Sequence, residues 1–117
     1  MTEKELLQQL HNAPETIRFE DSMAVIDNDY MFSPTAFTNG DLENAAGENK
    51  GSCKVFSFAK QHALDTDQTL NLFGDYYRKD VVEHPNGVDH QNIRNFIRHG
   101  WEGVRFEKTA LSKKNNR

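Results

Sequence analysis

The residues with the most chemistry to offer in this sequence are Cys53, His90 and Asp89. A thiolate, a histidine base and a carboxylate orienting that histidine form the set used by thiol hydrolases and acyltransferases, and Asn92 is a second candidate for the orienting role. Cys53 follows Gly51-Ser52 at an expected helix start, where the positive end of a helix dipole would make the thiol more acidic. A lone cysteine beside Val55 and Phe56 reads more readily as a small buried hydrophobe. Asp89 has an independent use as a helix cap, and the side chains of sequence neighbours need not meet. The catalytic trio Cys53, His90 and Asp89 is therefore the alternative reading, with enzymatic activity left open.

Other constellations are weaker. Glu83-His84 and Asp89-His90 flank a Pro-Asn-Gly turn without the HExxH spacing of a metal helix. Asp41, Glu43, Asn44, Glu48 and Asn49 lack the alternation of a calcium loop, so no metal is expected. Gly47, Gly51 and the Ser52 helix start could cradle an anion, but the chain has neither GxxxxGK[ST] nor GxGxxG, and no cofactor is expected. Arg94 and Arg98 share a helix face with spacing i, i+4 and read as a solvated pair; with Arg105 and Lys108 they are the thin case for nucleic acid. Tyr76, Tyr77, Trp101 and Phe106 read first as core and second as a partner surface.

The elements that must position these residues are punctuated clearly. Thr2-Glu3-Lys4-Glu5 has capping-box form and opens a helix over 3–12 with Leu6, Leu7 and Leu10 on one stripe. Pro14 starts a second helix over 15–28, with Phe19, Met23 and Ile26 at helical spacing. The aromatic, Thr-rich stretch 30–38 contains Pro34 and reads as an edge strand. Asn39-Gly40 marks a turn, and 40–51 reads as one long polar loop. Ser52 is placed as the cap of a helix carrying Cys53, Val55, Phe56, Phe58, Ala59 and Ala63. Asp65-Thr66-Asp67-Gln68 is a second capping box, for a helix running to Val81 across Gly74. Asp89 is placed as the cap of a helix whose apolar face is Ile93, Phe96 and Ile97, closed by Gly100. Val104 and Phe106, two apart, mark a strand over 101–107.

Two strand candidates need each other as partners. The expected fold is a small, mostly helical α+β domain of about five helices with a two-stranded sheet formed by 30–38 and 101–107. Residues 1–107 make one domain, and 108–117 form a basic tail read as disordered.

The 117 residues suit a single domain, and 36% hydrophobic content with eight Phe supplies one core. No apolar run approaches the ~18 residues of a membrane span, and the charged start Glu3-Lys4-Glu5 is unlike a signal peptide. The single cysteine excludes an internal disulfide. Lys108, Lys113, Lys114 and Arg117 are four of the 14 basic residues, so the preceding chain carries 10 basic against 18 acidic ones, formally −8. That balance argues against a general nucleic-acid partner. The tail itself reads as a solvated terminus, with an electrostatic arm for phosphate or an acidic surface as the sharper reading.

Several blocks together carry a resemblance: Phe19-Glu20-Asp21-Ser22-Met23-Ala24-Val25-Ile26-Asp27, Pro34-Thr35-Ala36-Phe37-Thr38-Asn39-Gly40, Leu70-Asn71-Leu72-Phe73-Gly74-Asp75-Tyr76-Tyr77-Arg78, Asp89-His90-Gln91-Asn92-Ile93-Arg94-Asn95-Phe96 and Gly100-Trp101-Glu102-Gly103-Val104-Arg105-Phe106. They resemble the HopJ family of type III effector proteins. The resemblance implies a bacterial protein that acts on a protein partner by presenting a surface, without an established activity. It also raises delivery through type III secretion. The Leu-striped, capped segment Thr2–Leu10 departs from the Ser-rich, flexible start common among effectors, which favours the bacterial cytoplasm.

Overall fold

Local signals hold at the start of the chain. In the computed structural model, which describes residues 1–114, helix α1 spans Glu3–Asn12. Its capping box is reciprocal: the Glu5 amide donates to Thr2 Oγ1 at 3.1 Å and the Thr2 amide to Glu5 Oε1 at 2.8 Å. Leu6 and Leu10 are buried one turn apart. Pro14 opens only a 3₁₀ turn, Pro14–Thr16, and the chain then extends through Ile17 before α2 begins at Phe19 and runs to Asp29. The second helix thus starts four residues later than its proline predicts. Asp21 marks the true start, its carboxylate accepting from the Arg18 amide at 3.1 Å.

Strand β1 is Tyr30–Phe32, and β2 is Phe37–Asn39, so the expected single strand over 30–38 is two, interrupted around Pro34. Asn39-Gly40 does turn the chain, and β3, Leu42–Asn44, returns antiparallel to β2. A hairpin therefore occupies the start of what reads as a loop. Helix α3, Lys50–Gln61, puts Val55, Phe56, Phe58 and Ala59 into the core. Helix α4 is only Thr66–Asn71; Asp65 caps it in the expected box, with the Gln68 amide donating to its Oδ1 at 2.8 Å.

The helix predicted to continue to Val81 breaks at Gly74, where φ is +63°, and resumes as a π-helix over Tyr76–Val81. Helix α5 is Gln91–His99, ended by Gly100 at φ +63° as expected. A 3₁₀ turn, Gly100–Gly103, leads into β4, Val104–Phe106, and β5 is Leu111–Lys113. Among the described residues this makes five α-helices, in line with the expected α+β class.

The two strand regions do pair, β2 against β4 with Phe37 opposite Phe106, but inside a three-stranded sheet ordered β3-β2-β4. The second sheet corrects the disordered-tail expectation. Strand β5 pairs antiparallel with β1, Phe32 opposite Leu111, and Ala110 and Leu111 are buried. Leu111 has enough apolar surface to fill a gap in the core, which the polar character of its neighbours hides. Residues 115–117 of that tail lie outside the described residues. One core joins all elements around Phe56, whose ring meets Phe37, Phe73, Phe96 and Trp101 at centroid distances of 4.9–6.3 Å. No described helix is long and apolar enough to cross a membrane.

Candidate functional site

Asp89 and His90 sit side by side ahead of α5, but their side chains serve other groups. His90 Nε2 lies 3.0 Å from Asp80 Oδ2 and 3.8 Å from Asp89 Oδ2. Its ring rests against Tyr76, centroids 5.1 Å apart. Asp89 Oδ1 accepts from Arg94 Nη2 at 2.7 Å, and this hydrogen bond, helped by the nearby His90, holds the Asp89 carboxyl below its ordinary range. Asp89 is not the cap of α5. That position belongs to His90, in the left-handed region at φ +49° and without a side-chain cap. An aspartate beside a buried guanidinium gains more from the ion pair than from capping.

Cys53 is held inside α3. Helix α3 begins at Lys50, not after Ser52, so Cys53 lies one turn inside and its amide is bonded to Asn49 O at 3.0 Å. The residue is 2% exposed, and burial pushes its thiol pKa up. Among the described residues no hydrogen bond joins Cys53 to His90. Burial of this kind favours the thiol over the thiolate, the opposite of the environment that nucleophilic catalysis needs. Asn92, the second orienting candidate, is taken up in a network of amides. Among the described residues no three His, Cys, Asp or Glu side chains form a group able to hold a metal.

What does converge is a cleft of about 360 Å³ between the N-termini of α3 and α5. Phe19, Phe73 and Tyr76 wall it, with Phe19 edge-on to Tyr76 at 5.1 Å, and Asn49, His90 and Gln91 line its polar side. Gly51 is part of the lining because a Cβ there would stand 2.8 Å from Phe19 Cζ; its small size makes room for an aromatic ring, not for a phosphate loop. Unusual backbone collects around this cleft. Asn49 at φ +51° precedes α3 as His90 precedes α5, neither helix has a side-chain cap, and the π-helix begins at Tyr76. Non-glycine residues in the left-handed region cost free energy and persist where the surroundings impose them. The first-turn amides of both helices are left without a side-chain acceptor.

Two supports hold the cleft in place, and sequence reasoning missed both. Behind the polar side is a buried cluster of asparagines. Asn39 Nδ2 donates to Asn92 O at 2.7 Å and to Asn92 Oδ1 at 3.0 Å, Asn92 Nδ2 to Asn44 Oδ1 at 3.0 Å, and Asn49 Nδ2 to Asn44 Oδ1 at 2.7 Å. These bonds lock the β2–β3 hairpin to both helix starts. Each asparagine taken singly reads as turn or loop, and only strand register brings them together. The second support is Arg94, expected on a solvated face and found 8% exposed. Its Nε donates to Asp89 O at 2.6 Å and its Nη1 to His84 O at 2.9 Å, so it pins the 80–90 segment over α5. The signal available was the segment itself: Asp80, Glu83, His84, Asn86, Asp89 and His90 need a donor set, and a guanidinium carries five N–H groups. Arg98 remains exposed.

A family model described as HopJ type III effector protein matches residues 3–111. A crystal structure described as that of the unknown function protein VPA0580 is similar at 53% identity and a TM-score of 0.96, covering 97% of this chain and 95% of that one. No curated protein matches.

Proposed function

The chain belongs to the HopJ family, and from that premise we propose that it is a protein-interaction module which takes a segment of its partner into the cleft between α3 and α5. The observation that carries this reading is the combination of an aromatic wall, Phe19, Phe73 and Tyr76, with two helix starts lacking side-chain caps. An apolar side chain of the partner packs on the rings, and its carboxylate or backbone carbonyl accepts from the free first-turn amides. Tyr76, 42% exposed, is the anchor at the mouth. The burial of Cys53 removes the main support for turnover by a thiol.

The place of action in this reading is the bacterial cytoplasm. What supports it is the family, whose description is of substrates of a bacterial secretion system and so of proteins made in a bacterium.

Tyr76→Ala removes the wall, and Ser52→Leu fills the cleft from α3. Both should fold with a melting temperature near that of the parent and lose the partners the parent captures from native cytoplasm. Recovery of the same partner set by both variants would sink the cleft as the interface. Export of a reporter fusion above a non-secreted control, in a secretion-competent strain, would sink the cytoplasmic assignment.

A further inference from the structure

We propose that a second cleft, between α3 and the segment following β4, is a binding site for a phosphate group built on Ser57, Lys60 and Lys108. The cleft encloses about 470 Å³. Ser57 lines it and is 7% exposed, and its hydroxyl meets hydrogen-bond geometry with no described group, its polar side-chain neighbour being the Cys53 thiol one turn back in α3. Buried polar groups are almost always partnered, so an orphan hydroxyl beside a cleft marks a place where a partner is missing. Lys60 lies one turn further along α3, its Nζ 5.7 Å from the centre of the Phe106 ring. Lys108, two residues beyond β4, lines the same space.

Charge points to the ligand class. Lys54, Lys79 and Lys113 each sit within 4 Å of a carboxylate, at Asp27, Asp75 and Glu3. Among the described residues no carboxylate lies within 4 Å of Lys60 or Lys108, which they share with Lys4, Lys50 and Lys114; what sets the two apart is that both line this cleft. Two lysines that line the same cleft as a buried hydroxyl without hydrogen-bond geometry to any described group favour an oxyanion. Glu107 also lines the cleft and opposes it, leaving a surplus of one positive charge. A dianion gains from both lysines and outweighs that single carboxylate, where a monoanion gains half as much. Phosphate meets this requirement, whether as the inorganic ion or carried on a small molecule whose apolar part lies along Phe106 and Ala110.

The test titrates inorganic phosphate into the whole chain at constant ionic strength, following backbone amide resonances. Saturable shifts are expected at 57–61 and 108–110. Lys60→Gln and Lys108→Gln should each weaken binding about five-fold, the effect of one lost ionic contact near the surface. Glu107→Gln should tighten it. Ser57→Ala should fold about as well as the parent, because its hydroxyl gives up no more than a weak contact with the Cys53 thiol, and should bind more weakly. Methyl phosphate separates the two sources: tighter binding than the inorganic ion assigns the site to a carried phosphate, and equal binding to the free ion. Shifts that fail to saturate, or that chloride reproduces, overturn the proposal. So does a Ser57→Ala chain that binds like the parent.

Discussion

At the scale of single residues, two glycines separate conformational strain from steric exclusion. Gly100 ends α5 at φ +63° and ψ −160°, a region almost closed to residues with a Cβ, yet a Cβ there would meet nothing within 4 Å. Gly74 has the same φ, and a Cβ would stand 2.6 Å from the Phe19 backbone nitrogen. Gly100→Ala should therefore cost about 1–3 kcal/mol from backbone strain alone. Gly74→Ala should cost roughly 1–3 kcal/mol more, because a backbone atom at the start of α2 must also move. Urea unfolding of the two variants checks the order, and equal losses would show that the close approach to Phe19 is soft. The same contrast explains why Gly100 was legible as a helix terminator while Gly74 showed only as a cost: its neighbour is 55 positions away in sequence.

Among the elements, the C-terminal strand has the clearest consequence. Ending the chain after Thr109 removes Ala110 and Leu111, which are 3% and 1% exposed, and leaves β1 without its partner. The loss should be about 3–5 kcal/mol, that of a large side chain deleted from a core. An unchanged urea midpoint would mean that β5 rests on the domain without closing it. Elements set by their own sequence were readable: both capping boxes, α1, the apolar face of α3 and, in outline, the pairing of 30–38 with 101–107, which the structure narrows to 37–39 with 104–106. Elements set by distant contacts were not. β3 and β5 are three residues long and take their register from β2 and β1. The π-helix over Tyr76–Val81 keeps ordinary helix formers and departs from α geometry where Arg78 reaches back to the carbonyls of Pro14 and Ile17. The same division runs through the site. Asp89 and His90 were found by residue type, but the guanidinium that claims Asp89 and the amide cluster behind Asn92 exist only in three dimensions. Cys53 was misplaced by the three residues that separate Ser52 from the actual cap, Asn49.

On the scale of the whole molecule, Glu3 ties regions far apart in sequence. Its carboxylate accepts from Tyr30 and, at 2.7 Å, from Lys113, and lies 3.1 Å from His62 Nε2. Burial works to raise the Glu3 pKa, but the hydrogen bonds from Lys113 and Tyr30 together with the charge of His62 outweigh it and bring it below normal. A depressed carboxyl pKa gives stability that is present above the unfolded value, about 4.3, and is lost as pH falls through the folded value. Glu3→Gln should therefore lower the melting temperature at pH 6 and narrow its gap to the parent at pH 3. A gap that widens in acid would show that Glu3 acts by packing and not by charge. The pairing of Tyr30 with Lys113 that this carboxylate guards also sets a timetable. A ribosome adds roughly 5–20 residues per second and releases the chain from its N-terminal end, so α1, α2 and α3 emerge while Leu111 is still unmade or inside the exit tunnel. Until then the groove beside β1 is an open, apolar edge of a half-built protein, and the nascent chain is a substrate for whatever waits at the tunnel mouth.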